Sequence, residues 1–162
     1  MADDVLRVRQ PISITYEWSA GPGASAYLQA LTEGRLVGAR CPSCELVYFP
    51  ARGACPKCAV ALAEQVEVGP KGTITTFCVV NVPFLGQKIK IPYVAANIML
   101  DGAHIGVQHL IQEIDADQVR MGMRVEPVWK DSSEWGPTLE SISHFRPTGE
   151  PDATFDPDGA LS

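Results

Sequence analysis

Long apolar runs are missing from this sequence of 162 residues. Its uninterrupted apolar stretches are only a few residues long, whereas a membrane-spanning helix needs about 20. The N-terminal stretch MADDVLRVRQ also lacks the basic, apolar and small-residue segments of a secretion signal. These absences predict a cytoplasmic protein that does not span a membrane. In that reducing environment, paired cysteines are more often metal ligands than disulfides.

The usual signatures of catalysis are absent as well. The three histidines, His104, His109 and His144, share no metal-ligand spacing. No serine occupies the strand-to-helix turn of a nucleophile elbow, and no glycine-rich loop could wrap a phosphate. The residues alone therefore reveal no catalytic site.

Basic residues are outnumbered, with 13 Lys and Arg against 19 Asp and Glu. Four of the acids lie in the tail PTGEPDATFDPDGALS, which has no base, so residues 1–146 hold 13 bases and 15 acids. Such a balance disfavours nucleic-acid binding, which depends on many Lys and Arg residues facing phosphates. The tail is too polar to form its own core and should become ordered only by lying on another surface.

What the chain does contain is a repeated Cys-Pro-x-Cys phrase, in CPSCELVYFPARGACPKC. Two such loops can supply the four thiolates of a tetrahedral zinc ion. The proline in each loop fixes its own φ near the value that a tight turn needs. The spacer of ten residues is shorter than the usual 15 to 20 or so, which predicts a compact ribbon. The predicted ligands are Cys41, Cys44, Cys55 and Cys58. Four thiolates leave no open position, so we expect structural zinc; iron in a rubredoxin-like electron-transfer centre would use the same ligands.

A short helix precedes these cysteines. Ala24, Tyr27, Leu28 and Leu31 fall on one helical face, and Gly34 suits the left-handed residue that ends a helix. Before it, ISITYEW alternates like an extended arm or edge strand. The predicted regions are an N-terminal arm (1–23), the helix with the zinc ribbon (24–66), an OB-fold (67–146) and an acidic tail (147–162).

Five strand patterns follow the ribbon, separated by turn residues. They are GTITTFCVVNV (72–82), YVAANIML (93–100), AHIGVQHLI (103–111), MRVEPVW (123–129) and TLESISHF (138–145). Between the third and the fourth, IDADQV has the acids and the length of one helical turn, which is the order of an OB-fold barrel. The predicted class is mainly β: a helix and a four-cysteine ribbon, then a five-stranded barrel. Cys78, between Phe77 and Val79 in the first strand, is predicted to be a buried, inert thiol.

The dipeptide Asp101-Gly102 predicts a tight hairpin between the second and third of these strands. The predicted core-facing pairs are Leu100 with Ala103, Ile98 with Ile105, Ala96 with Val107, and Val94 with His109. His104 would then lie on the solvent or partner side. His109 would sit at the end of the core face, in a hydrogen-bonded structural role.

The order of these motifs resembles a known family. The helix, the stretch EGRLVGARCPSCELVYFPARGACPKC, and then GTITTFCVV, PYVAANIMLDG and VRMGMRVEPVW are similar to acyl-CoA-associated proteins that join a rubredoxin-like zinc ribbon to a C-terminal OB-fold. The resemblance runs from about Ala24 to Phe145 and leaves out the arm and the tail.

This resemblance implies an accessory subunit rather than a catalyst. Such proteins accompany thiolase-superfamily subunits that make or break carbon–carbon bonds in acyl-CoA, as in steroid side-chain, aromatic-compound and isoprenoid-precursor metabolism. We expect a two-plus-two assembly whose catalytic residues belong to the partner. In PFLGQKIKIPY, Lys88 and Lys90 could bind a CoA phosphate or an acidic residue of the partner. The same sequence also fits a solvated loop that binds nothing.

Two other classes of function stay open at this point. An OB-fold with a zinc ribbon can bind single-stranded nucleic acid, with Phe77, Phe84 and Tyr93 as candidate stacking residues, but the acidic balance opposes it. The other class is a stand-alone enzyme, either a small acyl-CoA hydrolase or an iron redox protein.

Overall fold

The computed structural model describes residues 6–155. One helix, α1 (Gly21–Leu31), precedes a ribbon of three strands: β1 (Val37–Arg40), β2 (Val47–Tyr48) and β3 (Glu64–Glu67). Five more strands follow: β4 (Gly72–Val80), β5 (Tyr93–Leu100), β6 (Val107–Ile111), β7 (Arg124–Trp129) and β8 (Ile142–Pro147). Two 3₁₀ turns, Ser132–Glu134 and Leu139–Ser141, lie between β7 and β8. None of the helices in this part of the chain is long and apolar enough to cross a bilayer.

Helix α1 packs its apolar face inward and ends where the glycine pattern predicts. Its buried residues are Tyr27, Ala30 and Leu31. The amide of Arg35 donates to Ala30 O at 2.9 Å and that of Gly34 to Leu31 O at 3.3 Å. These two bonds form a Schellman motif, in which Gly34, at φ +70°, is the left-handed residue. A Cβ at Gly34 would lie 2.7 Å from the Trp135 ring, so the glycine also makes room for that tryptophan.

The ribbon strands form one antiparallel sheet, in the order β2-β1-β3. The other five strands close into a barrel, in the order β4-β5-β6-β8-β7. Ile74, Ile98, Val125 and Phe145 fill its centre and are each 0% exposed. The predicted fold class, mainly β with a helix, a ribbon and a five-stranded barrel, is confirmed. The IDADQV segment forms a turn closed by a bond from Gln118 N to Asp115 O at 3.0 Å.

Ribbon and barrel share one continuous hydrophobic core. Backbone bonds cross between them: Gly69 N, just after β3, donates to Asp101 O at 2.8 Å, and His104 N donates to Val47 O at 2.9 Å. The amide of Val47 in turn donates to Nδ1 of His104 at 3.0 Å. The ribbon is therefore held against the barrel on both sides of β1.

The predicted hairpin register is wrong by two residues. Ile98 lies opposite Val107, Ala96 opposite His109 and Val94 opposite Ile111. The tight turn at Gly102 does form, with φ +83°. Residues 103–106 then leave the ladder, because His104 pairs with Val47 in the ribbon instead. A shift by two keeps each side chain on its predicted face, and His104 is exposed as expected.

The prediction for Cys78 is wrong: its thiol is exposed. Strand β4 has an irregularity between Ile74 and Thr76, which moves the inward positions from even to odd numbers. Phe77 and Val79 then pair with the buried residues of β5, and Cys78 points outward. An alternating strand cannot bury three consecutive side chains on one face.

Candidate metal centre and the surfaces around it

The two Cys-Pro-x-Cys loops fold in the same way. In each, the amide of the residue after the second cysteine donates to the carbonyl of the first: Glu45 to Cys41 at 2.9 Å, and Ala59 to Cys55 at 2.8 Å. Glu45 and Ala59 are both left-handed, with φ 59° and 56°. The repeated sequence phrase thus produces two matching loops that direct their thiols into one space.

The four thiols fit a zinc ion. All four Sγ atoms lie within 4.8 Å of one another, and Cys44 Sγ is 3.8 Å from Cys55 Sγ. A tetrahedral zinc with bonds of about 2.3 Å separates neighbouring sulfurs by about 3.8 Å. Cys41 and Cys55 are buried, whereas Cys44 and Cys58 are half-buried. With four protein ligands such a shell is closed, so bound zinc would hold the loops together rather than act on a substrate.

A tyrosine supports this cluster from outside. The Tyr48 hydroxyl lies 3.2 Å from Cys55 Sγ, and the Arg52 guanidinium lies 5.4 Å from the centre of the Tyr48 ring. Burial raises the pKa of the Cys55 thiol, but hydrogen bonds from the Tyr48 hydroxyl and from the amides of Cys58 and Lys57 outweigh it and lower that pKa to about 6. The same hydrogen bond raises the pKa of the Tyr48 phenol. The contact of Tyr48 with the cluster is one that the sequence did not reveal; its only signal was a tyrosine in the short spacer between the cysteine pairs.

Comparison with known proteins matches both halves of this architecture. Residues 28–62 match the ChsH2 rubredoxin-like zinc ribbon domain, and residues 65–130 match the ChsH2 C-terminal OB-fold domain. A DUF35 domain-containing scaffold protein of Methanocaldococcus jannaschii is 39% identical over 103 residues, which cover 62% of this chain and 72% of that protein. The chain belongs to the DUF35 family. A second DUF35 scaffold protein, from Methanothermobacter thermautotrophicus, is 35% identical, with 62% of this chain and 76% of that protein covered.

Solved DUF35 structures share the fold. A chain of the Ltp2-ChsH2(DUF35) aldolase superposes with a TM-score of 0.61 at 23% identity, covering 81% of this chain and 98% of that one. A DUF35 protein of unknown function from Sulfolobus solfataricus gives 0.60 at 18% identity, covering 79% and 85%. The family resemblance inferred from the sequence is confirmed, and membership in a family of scaffold proteins supports an accessory role.

The two lysines predicted to meet CoA lie in the connection between β4 and β5. Lys88 and Lys90 are both exposed, and neither forms an ion pair with another residue of the described range 6–155. The connection is also apolar at its tip, where Phe84 is 61% exposed and Leu85 is fully exposed. The side chain of Gln87 accepts from the Phe84 amide at 3.3 Å and so shapes the turn. This DUF35 chain therefore presents a projecting loop with apolar and basic side chains together.

Two concave regions lie on the barrel. A slot of about 420 Å³ opens near the end of β6, where His109 is half-buried with its ring centre 5.5 Å from that of Phe145. Burial lowers the pKa of His109. A wider cleft of about 1240 Å³ lies between the outer side of β5 and the tail residues 151–155. There the Asn97 side-chain oxygen is buried and has no hydrogen-bond partner among residues 6–155.

One set of side chains has the residue types of a hydrolytic triad. His144 Nδ1 lies 3.1 Å from Ser143 Oγ, and its Nε2 lies 3.0 Å from Glu113 Oε1. Ser143 and His144 are neighbours on β8, however, so one is exposed and the other is buried on the opposite face. A substrate placed over Ser143 could not also reach His144, and Glu113 additionally pairs with Arg146 at 3.5 Å. The set therefore fits a structural network better than a nucleophile and its base.

Proposed function

We propose that this chain is the accessory subunit of a thiolase-superfamily complex that acts on acyl-CoA substrates. The observation that carries the proposal is the closed set of four cysteines, in which every predicted metal ligand is used and no position is left for substrate. A closed structural site supplies no catalysis of its own, which favours action through a partner. Its relatives are named scaffold proteins, and one solved structure with this fold is named an Ltp2-ChsH2(DUF35) aldolase, which favours carbon–carbon bond cleavage, retro-aldol or thiolytic.

In this proposal the catalytic residues belong to the partner, and the subunits assemble as two copies of each. The ribbon (24–66) and the barrel (67–146) would present one rigid body to the partner, because a shared core and backbone bonds join them. Zinc would keep the two cysteine loops of the ribbon folded, since bound metal holds their four thiolates together.

The proposal also gives a role to the β4–β5 connection. Lys88 and Lys90 are exposed and unpaired within the described range, so they are free to meet the 3′-phosphate of CoA at the subunit boundary. The double variant Lys88→Gln, Lys90→Gln should raise KM for acyl-CoA severalfold and change kcat little. The matched control is the 3′-dephospho substrate, for which both proteins should give the same KM. An equal rise in KM for both substrates would remove the lysines from phosphate binding.

Co-purification tests the proposal as a whole. Full-length tagged chain isolated from its native host should bring down a thiolase-superfamily subunit in a fixed ratio by quantitative mass spectrometry. The chain alone should not turn over acyl-CoA, and the reconstituted pair should. Turnover by the lone chain, with no partner present by mass spectrometry, would favour a stand-alone enzyme, and Ser143→Ala would be the first variant to make. Salt-dependent binding of single-stranded oligonucleotides would favour a nucleic-acid protein.

A further inference from the structure

Within the N-terminal arm, residues 6–19, called the arm from here on, form no helix or strand in the structure, but their sequence alternates like an amphipathic strand. Large apolar side chains occupy every even position except Gln10, and all are 67% to 86% exposed: Leu6, Val8, Ile12, Ile14, Tyr16 and Trp18. The odd positions from 7 to 19 carry only charged or hydroxyl side chains and Pro11. Successive side chains of an extended strand point to opposite faces, so the arm has one apolar and one polar face. An exposed apolar face of this length marks an interaction site.

Within residues 6–155, no other part of the chain covers the apolar face of the arm. No hydrogen bond or ion pair joins residues 6–19 to the rest of the range 6–155. The barrel is closed and so has no free edge. The ribbon sheet ends in β2, of two residues, and β3, of four, neither of which can pair with a strand of this length.

The arm continues directly into α1, whose first turn packs on the ribbon. The chain turns at Gly21, with φ +70°, and enters α1. A Cβ on Gly23 would lie 2.8 Å from the carbonyl of Arg52, so the start of the helix rests directly on the backbone between the cysteine loops. A partner that binds the arm is therefore connected to the zinc ribbon through α1.

The apolar area suits a protein partner. Four aliphatic and two aromatic side chains offer roughly 700 Å² of burial. A standard interface takes about 800 Å² from each side. Two arms paired with each other would form a two-stranded ribbon without a core, which is marginally stable in water. The area thus favours a partner that already has a folded sheet over a second copy of this chain.

Proline at position 11 indicates how such a strand would pair. In an extended strand, the even-numbered residues all point their side chains to one face of the sheet and their amides to one edge of the strand. The odd-numbered residues point theirs to the opposite face and the opposite edge. The even-numbered residues could therefore bond to a sheet edge with their apolar face against the partner's core. Pro11, which has no amide hydrogen, would lie on the outer edge, where it would also block any further strand.

We infer that the arm docks as an added edge strand on an exposed sheet edge of the partner enzyme subunit, with its even-numbered side chains against an apolar groove. The inference rests on the proposed function, because the partner is the thiolase-superfamily subunit of that complex. It makes the arm a tether that joins the zinc ribbon to the enzyme by strand addition.

Binding between the full, zinc-loaded chain and the purified thiolase-superfamily subunit tests the inference. Ile12→Glu with Ile14→Glu should raise Kd about 100-fold, since each buried aliphatic side chain contributes about tenfold or more. The matched control, Ser13→Glu with Thr15→Glu, adds the same charges to the opposite face and should stay within threefold of wild type. Gln10→Pro should weaken binding about tenfold by removing an inward amide, whereas Ser13→Pro should not. Zinc content and melting temperature should be equal in all variants.

The outcomes separate the two proposals. If wild type and all variants bind the subunit equally, the arm inference is overturned while the accessory function stands. Equal weakening by the two prolines would overturn strand addition. If the wild-type chain binds no thiolase-superfamily subunit, the proposed function fails and the inference fails with it. Light scattering should show the isolated chain as a monomer; a dimer that Ile12→Glu with Ile14→Glu dissociates would assign the arm to a second copy and overturn the inference.

Discussion

At the scale of single residues, the hydroxyl of Tyr48 connects the four-cysteine cluster to the ribbon core. It lies 3.2 Å from Cys55 Sγ, and the Tyr48 side chain is buried in β2. Hydrogen bonds from outside the ligand shell orient metal ligands, and their loss lowers metal affinity by roughly 10- to 100-fold. Tyr48→Phe should therefore weaken zinc binding at least tenfold in competition with a chelator.

A second buried tyrosine provides the control for that experiment. The Tyr27 hydroxyl has no hydrogen-bond partner among residues 6–155. Tyr27→Phe removes the same atom from a comparable environment and should leave zinc affinity unchanged. Equal affinities for both variants would show that the Tyr48 hydroxyl does not support the metal.

His109 makes the stability of the barrel depend on pH. Burial lowers its pKa in the folded protein below the unfolded value of about 6.5. Between those two values the unfolded chain binds more protons, so the free energy of unfolding should fall as the pH drops through that window. The melting temperature of zinc-loaded wild type should thus decrease more between pH 7.5 and 5.5 than that of His109→Gln, which cannot titrate. Equal decreases in melting temperature for the two proteins would mean that groups other than His109 cause the pH dependence.

At the scale of elements, local patterns predicted which strands exist but not how they pair. The helix, the two cysteine loops and the five barrel strands each follow from residues close together in sequence, and each is present. The register of β5 with β6 depends on Val47, which lies far away in the chain and draws His104 out of the ladder. Cys78 was misplaced for a similar reason, because an irregularity of pairing in β4 decides which face it occupies. The four-cysteine cluster was predictable because the spacing of its residues is local, whereas Tyr48 contacts the cluster only when β2 folds back on β1.

The bond between His104 and Val47 should be measurable. Removing the His104 side chain leaves the amide of Val47, which is 3% exposed, without its acceptor. His104→Ala should therefore lower the free energy of unfolding by about 1 kcal/mol in urea. His104→Asn keeps an acceptor near that amide and should recover part of the loss, while Gln108→Ala, at an exposed position on β6, should have no effect. If His104→Ala and Gln108→Ala are equally stable, the bond does not hold ribbon and barrel together.

At the scale of the whole molecule, the acidic tail uses the barrel as the surface that its composition requires. The tail was predicted to need another surface, and within the described residues that surface is its own chain. Thr148 N donates to Arg124 O at 3.0 Å, and Ala153 N donates to Gly122 O at 2.8 Å. Its acids also pair with bases of the barrel: Glu150 with Lys71 and Arg124, and Asp152 with Arg120.

These contacts revise the expected effect of shortening the chain. If the tail lay only on another molecule, removal of residues 147–162 would leave the melting of the barrel unchanged. Exposed ion pairs contribute little, but the two backbone bonds contribute about 1 kcal/mol each, so a chain of residues 1–147 should melt roughly 3 to 8 °C below one of residues 1–155. Zinc content should be the same in both, because the cysteines lie in the ribbon. High salt should narrow the difference only slightly, since it screens the ion pairs and leaves the backbone bonds. Equal melting temperatures in low salt would mean that the tail adds no stability to the barrel, in which case its contacts would serve only to hold it in place.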